Sequence, residues 1–271
     1  MTAGADTFPE LVEGPFPELV EGLDEQVWIA LSTVLDPELD EPVTDLGFVR
    51  SHRVDGVDVD VHLRLPTSFC SPSFAYLMAS DAYDAISALP GVGRVTVALD
   101  EHHDSEKINA GLAAQAGYLG TFTDEAEESL DELRRTFQRK AHTAALERAV
   151  TQMLADSALT VADLHRVTLG DLVPGRQREA LLHRRSDLGL PTHLDALVMV
   201  DDSGQPVPAQ EIPIRLRFAR TTRISIDGNA HFCRGLLRTR YQGSGEDQAP
   251  RAQDDGPVLH AIQAFDQNRQ D

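Results

Sequence analysis

The sequence predicts a mixed α/β (α+β) protein, in which a small sandwich of helices on a short mixed sheet precedes a helical linker region and a second α+β domain. Three stretches predict this fold class. Residues 57–65 alternate apolar and polar side chains, as in a strand buried on one face. Residues 74–89 repeat apolar side chains every three or four positions, as in an amphipathic helix. From residue 123 onward, good helix formers continue to about residue 154.

The first domain is predicted over residues 23–122, in the order helix, strand, strand, helix, strand. The dipeptide Asp55-Gly56 is typical of a tight hairpin between the first two strands. Ser71 is predicted as the N-cap of the second helix, and Pro72 as its first residue. The last strand of this domain is predicted over residues 94–99.

The second domain is predicted over residues 123–242. It opens with a long helix whose acidic residues come early and whose arginines come later, as the helix macrodipole favours. Shorter helices are predicted over residues 161–166 and 176–188. Strands are predicted near residues 196–200, 212–218 and 222–226.

Both ends of the chain are predicted to lie outside the folded domains. The N-terminal residues 1–22 form a repetitive, disordered extension, since residues 8–14 and 16–22 both read Phe-Pro-Glu-Leu-Val-Glu-Gly. A solenoid needs longer units in greater number. The repeat is therefore either functionally inert or a linear motif that binds a partner. Residues 243–271 are predicted to form a polar, frayed tail.

Composition excludes several classes of function. The net charge of -20 argues against nucleic-acid binding, which needs basic surface. No apolar run is long enough to cross a bilayer and the N-terminus does not resemble a signal peptide, so we expect a cytoplasmic protein without membrane contact. The two cysteines are far apart in sequence and are expected to be reduced thiols. Walker A, Gly-x-Gly-x-x-Gly and Cys-x-x-Cys motifs are absent from the sequence.

Arginine is concentrated near the end of the second domain. Seven arginines lie between Arg215 and Arg240, where Asp227 is the only acidic residue. One interpretation is that they lie on solvent faces of strands and pair with the acidic remainder of the chain. The other is a docking patch for an acidic partner.

Cys70 is the strongest candidate for chemistry, because it lies where the chain should leave a strand and enter a helix. A nearby helix N-terminus favours the thiolate and lowers the thiol pKa by up to about 0.7 unit. Such a thiol is a plausible metal ligand or nucleophile. A cysteine at such a junction is also often a small buried hydrophobic residue, and local spacing does not separate the two interpretations.

A cluster of acidic residues precedes this cysteine in the chain. Five carboxylates fall within ten residues: Asp36, Glu38, Asp40, Glu41 and Asp45. Most such runs are solvated loops. The functional interpretation is that one or two of them point towards the Cys70 loop and supply hard oxygen donors beside a soft sulfur.

Histidines provide two weaker candidates for metal binding. His102 and His103 follow the last strand of the first domain, which could bring one of them near Cys70, since adjacent strand residues point to opposite faces. His231 and Cys233 are two positions apart and would share one face of a predicted strand. Such a pair needs further ligands to hold a metal.

Three motifs in order resemble a known family: Asp36-Pro37-Glu38-Leu39, Asp45-Leu46-Gly47 and the loop Pro66-Thr67-Ser68-Phe69-Cys70-Ser71-Pro72. They are similar to the small iron–sulfur assembly domain shared by SufT, by PaaD of the phenylacetyl-CoA oxygenase pathway and by the cytosolic targeting-complex subunit of eukaryotes. The resemblance covers about residues 23–100 and includes the order of predicted elements. It implies a compact α/β domain whose site residues are Asp36, Glu38, Asp45, Thr67 and Cys70.

The resemblance also implies a function and a cargo. Members of the family help to deliver iron or iron–sulfur clusters, without a turnover reaction of their own. A cluster ordinarily takes four protein ligands, so one cysteine implies a transient site. It would be completed across a homodimer, by histidine or carboxylate, or by a client metalloenzyme such as a di-iron or iron–sulfur oxygenase. The alternatives are an enzyme with Cys70 as nucleophile and a metal-free structural adaptor.

Overall fold

The structure is a computed structural model that describes residues 22–123 and 130–241. The predicted polar tail and nearly all of the N-terminal repeat lie outside these residues. The described helices are α1 (Leu23–Leu31), α2 (Pro72–Ser87), α3 (Ser105–Ala113), α4 (Gly117–Thr121), α5 (Asp131–Asp156), α6 (Arg176–Asp187) and α7 (Ile212–Arg240). The strands are β1 (Leu35–Asp36), β2 (Glu41–Pro42), β3 (Val49–Asp55), β4 (Asp58–Arg64) and β5 (Val95–Asp100). This mixture confirms the predicted fold class.

The main sheet has the order β3-β4-β5 and is mixed. Strands β3 and β4 form an antiparallel hairpin that closes at the pair Asp55 and Asp58. The turn contains Gly56 with φ 64°, a left-handed conformation that glycine adopts without a steric penalty. Strands β4 and β5 are parallel, so a crossover must join them, and α2 forms it. The predicted alternation in β4 is confirmed, because its apolar side chains are buried and its polar ones are half-buried.

The crossover fixes the position of the loop that carries Cys70. Ser71 is the N-cap of α2 and Pro72 opens the helix, as predicted. The preceding loop leaves β4 at its C-terminal end, and β5 ends at the same edge of the sheet because the two strands are parallel. The loop and the residues that follow β5 are therefore neighbours.

The strands predicted over residues 212–218 and 222–226 are wrong, because these residues belong to the single helix α7. Alternating apolar residues at the start of this stretch resemble a strand. The buried residues, however, are separated by four or seven positions, the helical period: Ile212, Ala219, Ile226, Ala230 and Leu237. Pro213 in the first turn is a helix-start signal that agrees with this arrangement.

The remaining predictions for the second half are confirmed in part. Helix α6 confirms the prediction over residues 176–188. The helix predicted over residues 161–166 is a 3₁₀ turn at Val161–Arg166, and a second 3₁₀ turn spans Leu169–Asp171. The strand predicted near residues 196–200 forms only isolated bridges.

The buried apolar residues form two clusters, and α7 contributes to both. The first core lies among α1, the main sheet, α2 and α3, and it includes Ala230 and Leu237 of α7. The second core lies among α5, the two 3₁₀ turns and α6, and it includes Ile212 of α7. Helix α7 therefore begins in the second core and ends on the first core.

A buried arginine lies within the second half of the chain. The Arg185 side chain is fully buried and its guanidinium donates hydrogen bonds to the carbonyls of Pro191, Leu197 and Val198 at 3.1, 3.0 and 2.6 Å. Burial lowers its pKa to about 10, so it stays charged at neutral pH. One side chain thus holds the loop after α6 in place.

Arginines of the second half also pair with acidic residues of the first. Arg134 at the start of α5 forms a bidentate pair with Asp81 of α2, with both distances at 2.7 Å. Arg184 of α6 donates to Asp40 at 2.7 Å, and both side chains are largely buried. These pairs fix α5 and α6 against the first core.

Helices α5 and α7 are joined by a cluster of ion pairs. Arg223 donates to Glu147 at 2.5 Å and to Asp227 at 2.8 Å, and Arg148 donates to Asp227 at 2.5 Å. The cluster attaches the middle of α7 to α5. The next residue, Gly228, is exposed and has space for a Cβ atom with no neighbour within 4 Å.

Candidate functional site

The candidate site begins at Asp36, at the end of β1. Its Oδ1 accepts hydrogen bonds from the backbone N–H groups of Glu38 and Leu39, at 2.8 and 2.9 Å, which closes the start of the acidic loop, residues 36–45, into a tight turn. The carboxyl group is nevertheless buried, and burial raises its pKa to about 6 although the two hydrogen bonds lower it. A carboxylate that is costly to ionise in this position is typical of functional sites.

The Cys70 loop is a second tight turn. The Oγ1 atom of Thr67 accepts a hydrogen bond from the Phe69 N–H at 2.8 Å, and a backbone hydrogen bond from Thr67 reaches the Cys70 thiol. Cys70 is half-buried and packs against the first core. The structure therefore brings the two predicted residues together: Thr67 stabilises the turn, and Cys70 places its thiol beside it.

The pKa of Cys70 is raised, so the prediction of a lowered pKa is wrong. Burial is the largest cause, and the charges of Asp36 and Glu38 add to it, whereas the Thr67 hydrogen bond and Arg240 act in the opposite direction. The start of α2 lies beside the thiol but does not reverse the effect of burial. The influence of the two carboxylates also shows that the acidic loop and the thiol are close.

His102 and His103 lie at the Cys70 loop, where parallel strands β4 and β5 end. His102 is buried, its Nε2 lies 2.8 Å from the Cys70 carbonyl, and its Nδ1 accepts from the Asp104 N–H at 3.1 Å. Since Nδ1 accepts, Nε2 carries the proton and donates to Cys70. Both nitrogens of His102 are thus occupied in supporting the loop. His103 is exposed and stacks on Phe69, with ring centroids 5.8 Å apart.

The last turns of α7 cross over this site. Asn229 donates to the carboxylate of Glu38 at 3.2 Å. Three turns further along, the Arg240 guanidinium donates to the Leu65 carbonyl at 3.1 Å and to the Ser68 hydroxyl at 2.8 Å. The helix therefore runs from the acidic loop to the Cys70 loop.

The second cysteine lies on this part of α7. Cys233 is half-buried and packs against the first core, between Ala230 and Leu237 on the buried face of the helix. Burial raises its pKa to about 11, and the next largest cause is the charge of Cys70. The prediction that His231 and Cys233 share one face is wrong, because residues two apart on a helix point in nearly opposite directions, and His231 is exposed.

The other acidic residues of the loop are engaged elsewhere. Asp40 pairs with Arg184, and Glu41 pairs with Arg234 of α7. Asp45 is half-buried in the turn that ends at Gly47, which has φ 76°. Asp36 and Glu38 are thus the carboxylates whose charges act on the two thiols.

A cavity of about 210 Å³ lies on the other side of the acidic loop, against α5 and α6. Asp36 and Asp40 line it together with Phe137 and Arg184. The charges of Asp40 and Arg184 are already paired with each other. The cavity lies between part of the acidic loop and the second half of the chain. Neither Cys70 nor Cys233 lines it.

The available donors are two sulfurs beside two carboxylates, a soft and hard combination that suits iron. Within residues 22–123 and 130–241, however, no group of three or more His, Cys, Asp or Glu side chains is arranged to hold a metal ion. A metal ion held by the two sulfurs would therefore need further ligands. Sequence reasoning missed Asn229 and Arg240, although Ile226, Ala230, Cys233 and Leu237 repeat at helical spacing.

Comparisons with known proteins cover the part of the chain that carries the acidic loop and the Cys70 loop. Residues 24–97 match the family described as iron-sulfur cluster assembly protein. An uncharacterized protein of Methanocaldococcus jannaschii is 34% identical over 86 residues, which cover 31% of this chain and 88% of that relative. None of the described helices is both long and apolar enough to span a membrane. The matched segment contains nearly all of α1, the whole acidic loop, the Cys70 loop and most of the main sheet, and through it the chain belongs to the iron–sulfur cluster assembly protein family.

Proposed function

We propose that the protein is a maturation factor that binds iron or an iron–sulfur cluster transiently and delivers it to a client metalloenzyme, such as a di-iron or iron–sulfur oxygenase. The carrying observation is the partial donor set at the edge of the first core. Cys70 lies within electrostatic reach of Asp36 and Glu38, and no complete set of metal ligands surrounds it among the described residues. A site of this kind can take a cargo and still leave positions open for the recipient.

The residues around Cys70 have separate tasks in this proposal. The thiol gives up its proton and binds the cargo, which overcomes the raised pKa because a metal stabilises the thiolate. Asp36 holds the acidic loop closed beside the sulfur, because it accepts from the Glu38 and Leu39 N–H groups. Thr67 and His102 hold the loop that presents the sulfur, through the Phe69 N–H and the Cys70 carbonyl respectively.

The raised pKa of Cys70 supports a cargo ligand over a catalytic nucleophile. Catalytic cysteines are activated by a lowered pKa or by an adjacent base. Here burial and two carboxylates disfavour the thiolate, and both nitrogens of the neighbouring His102 are in hydrogen bonds. A purely structural adaptor would give no reason to bury a carboxylate beside a thiol.

The outer face of α7 is the proposed docking surface for an acidic, apolar segment of the client. Phe218 and Phe232 are 67% and 65% exposed on this helix. Four of the seven clustered arginines form ion pairs with the chain's own acids, as the first interpretation of this cluster holds: Arg215, Arg223, Arg234 and Arg240. Arg217 and Arg220 are exposed and have no ion pair within the described residues, so they remain available to an acidic segment.

The test is anaerobic reconstitution followed by transfer. The wild type and Cys70→Ser are incubated with ferrous iron and sulfide, desalted, and compared by iron content and absorption spectra. We expect the wild type to retain iron and Cys70→Ser to lose at least 90% of it. The loaded wild type should then convert an acidic apo-ferredoxin, used as a probe recipient, to its cluster-bound form faster than free iron and sulfide do.

Two further variants separate loading from delivery. Arg217→Glu with Arg220→Glu should load as much iron as the wild type but transfer it at least fivefold more slowly. His231→Ala, on the exposed side of α7, is the matched control and should change neither quantity. A wild type that retains no iron, or a Cys70→Ser variant that retains as much as the wild type, would refute the proposed function.

A further inference from the structure

Cys233 is delivered to the Cys70 loop by a helix that lies outside the matched family segment. The hydrogen bonds of α7 fix its path: Asn229 is bound to Glu38, and Arg240 is bound to Ser68, two residues before Cys70. Cys233 lies one turn after Asn229 and two turns before Arg240. Its position along the helix is thus between the two loops that form the candidate site.

The orientation of α7 about its axis points the Cys233 side chain towards the first core. Ala230 and Leu237, at three positions before and four after Cys233, are each 1% exposed in the first core. Residues at these spacings share one helix face. Both cysteines pack against the same core. The contacts of α7, its orientation and this shared packing agree that the two thiols are neighbours.

We propose that Cys70 and Cys233 form a two-thiol site that binds one thiophilic metal ion, so that the second half of the chain supplies half of the sulfur ligands. When a divalent ion binds, two S–H bonds break, two metal–sulfur bonds form and two protons pass to solvent. That the physiological cargo is iron or a cluster rests on the proposed function; the pairing of the thiols does not.

The two-thiol site explains why the donor set is incomplete. The nearest carboxylates, Asp36 and Glu38, are already bound by backbone N–H groups and by Asn229 respectively. Tetrahedral iron and cluster sites take four ligands. With two sulfurs from this chain, two positions remain for a recipient. This is the arrangement that ligand exchange between proteins needs.

Dibromobimane tests the pairing directly, because it becomes strongly fluorescent when it bridges two neighbouring thiols. The full-length reduced protein should give a fluorescent intramolecular adduct, and Cys70→Ser or Cys233→Ser should reduce its yield at least tenfold. The matched control is the double variant Cys233→Ser with His231→Cys, which keeps two cysteines but moves one to the exposed side of α7. It should also lose the adduct.

Cobalt(II) tests metal binding without any client. Under anaerobic conditions the wild type should bind one equivalent and show sulfur-to-cobalt charge-transfer absorption. Each single serine variant should bind at least tenfold more weakly and lose about half of that absorption. Circular dichroism checks that the variants are folded, and Cys→Ala versions replace any serine variant that is not.

The outcomes separate this inference from the proposed function. A Cys233→Ser variant with wild-type cobalt affinity, or a wild type without the bimane adduct, would overturn the two-thiol site. If in that case iron loading still depended on Cys70, the proposed function would stand alone. A protein with the bimane adduct and the cobalt site that neither retains nor transfers iron would keep the inference and refute the proposed function.

Discussion

The two cores of this protein are stabilised by different means. The first core is a sheet covered by helices, and the polar side chains buried beside it lie in the acidic loop, after β5 and at the end of α4: Asp36, Thr44, His102 and Thr121. The second has no sheet, and polar groups are buried beside its apolar cluster: Arg185 is 0% exposed, and His142 and Glu147 are each 6% exposed. The second half therefore depends on charged side chains: Arg185 holds the loop after α6, and Glu147 holds α7 through Arg223. Helix α7 in turn covers the candidate site.

The largest effect should come from Arg185→Ala. It removes the donor to three carbonyls and leaves a cavity, so the free energy of unfolding should fall by about 3 to 5 kcal/mol. Amide hydrogen exchange should accelerate in α5 and α6 while β3–β5 stay protected. Arg166→Ala is the control, because Arg166 is 66% exposed in a surface pair and its removal should cost under about 0.5 kcal/mol.

Equal loss of protection in both cores after Arg185→Ala would show that they unfold as one unit. The contrast between the two cores would then describe their composition and not their stability.

Acid should weaken the second half through His142. Burial, with the charge of Arg185, lowers its pKa from 6.5 to about 4. Between these values the unfolded chain binds a proton that the folded chain does not, so the free energy of unfolding falls as pH drops from 6.5 to 4, by up to about 3 kcal/mol. His142→Leu should lose less stability than the wild type between pH 7 and 4.5 in urea unfolding.

If the wild type and His142→Leu lost stability in parallel over that range, His142 would not be the responsible group.

Asp36→Asn should stabilise the apo protein, the opposite of the change in the second core. The buried carboxyl has its pKa raised from 3.8 to about 6, so its ionisation at pH 8 costs about 2 to 3 kcal/mol. An asparagine oxygen can accept the same two backbone hydrogen bonds. We expect a gain of about that size in urea unfolding at pH 8, and weaker iron loading. A loss of stability at pH 8 would show that the carboxylate is favourable where it lies.

The smallest effect concerns the contact between the two halves. Arg240→Ala removes donors to Leu65, Ser68 and the Glu101 carbonyl, and should cost about 1 to 2 kcal/mol. It should also lower the bimane yield between the cysteines, because the end of α7 is released. Arg238→Ala is exposed and should change neither quantity. An unchanged bimane yield in Arg240→Ala would mean that packing alone positions Cys233.

The first core could be predicted from the sequence because its signals are local. The alternation in β4, the glycine in the hairpin and the Ser71-Pro72 helix start each specify structure within a few residues. The juxtaposition of the acidic loop and Cys70 followed from the family motifs. Helix α7 could not be predicted in the same way, since β-branched and alternating residues at its start fit a strand locally. Its helical form depends on packing against two cores far away in sequence, and so does the position of Cys233.

Gly228 is a position at which α7 can bend. A helix of 29 residues is about 43 Å long and behaves as a stiff rod. Asp227, just before Gly228, forms an ion pair with Arg148 of α5. Asn229, just after Gly228, donates a hydrogen bond to Glu38 of the acidic loop. Glycine in a helix interior costs about 1 kcal/mol relative to alanine, so Gly228 is a weak point of the helix between these two attachments. Bending there would let the two cores shift relative to each other while Ala230, Cys233 and Leu237 stay packed on the first core, so the two thiols would keep their positions.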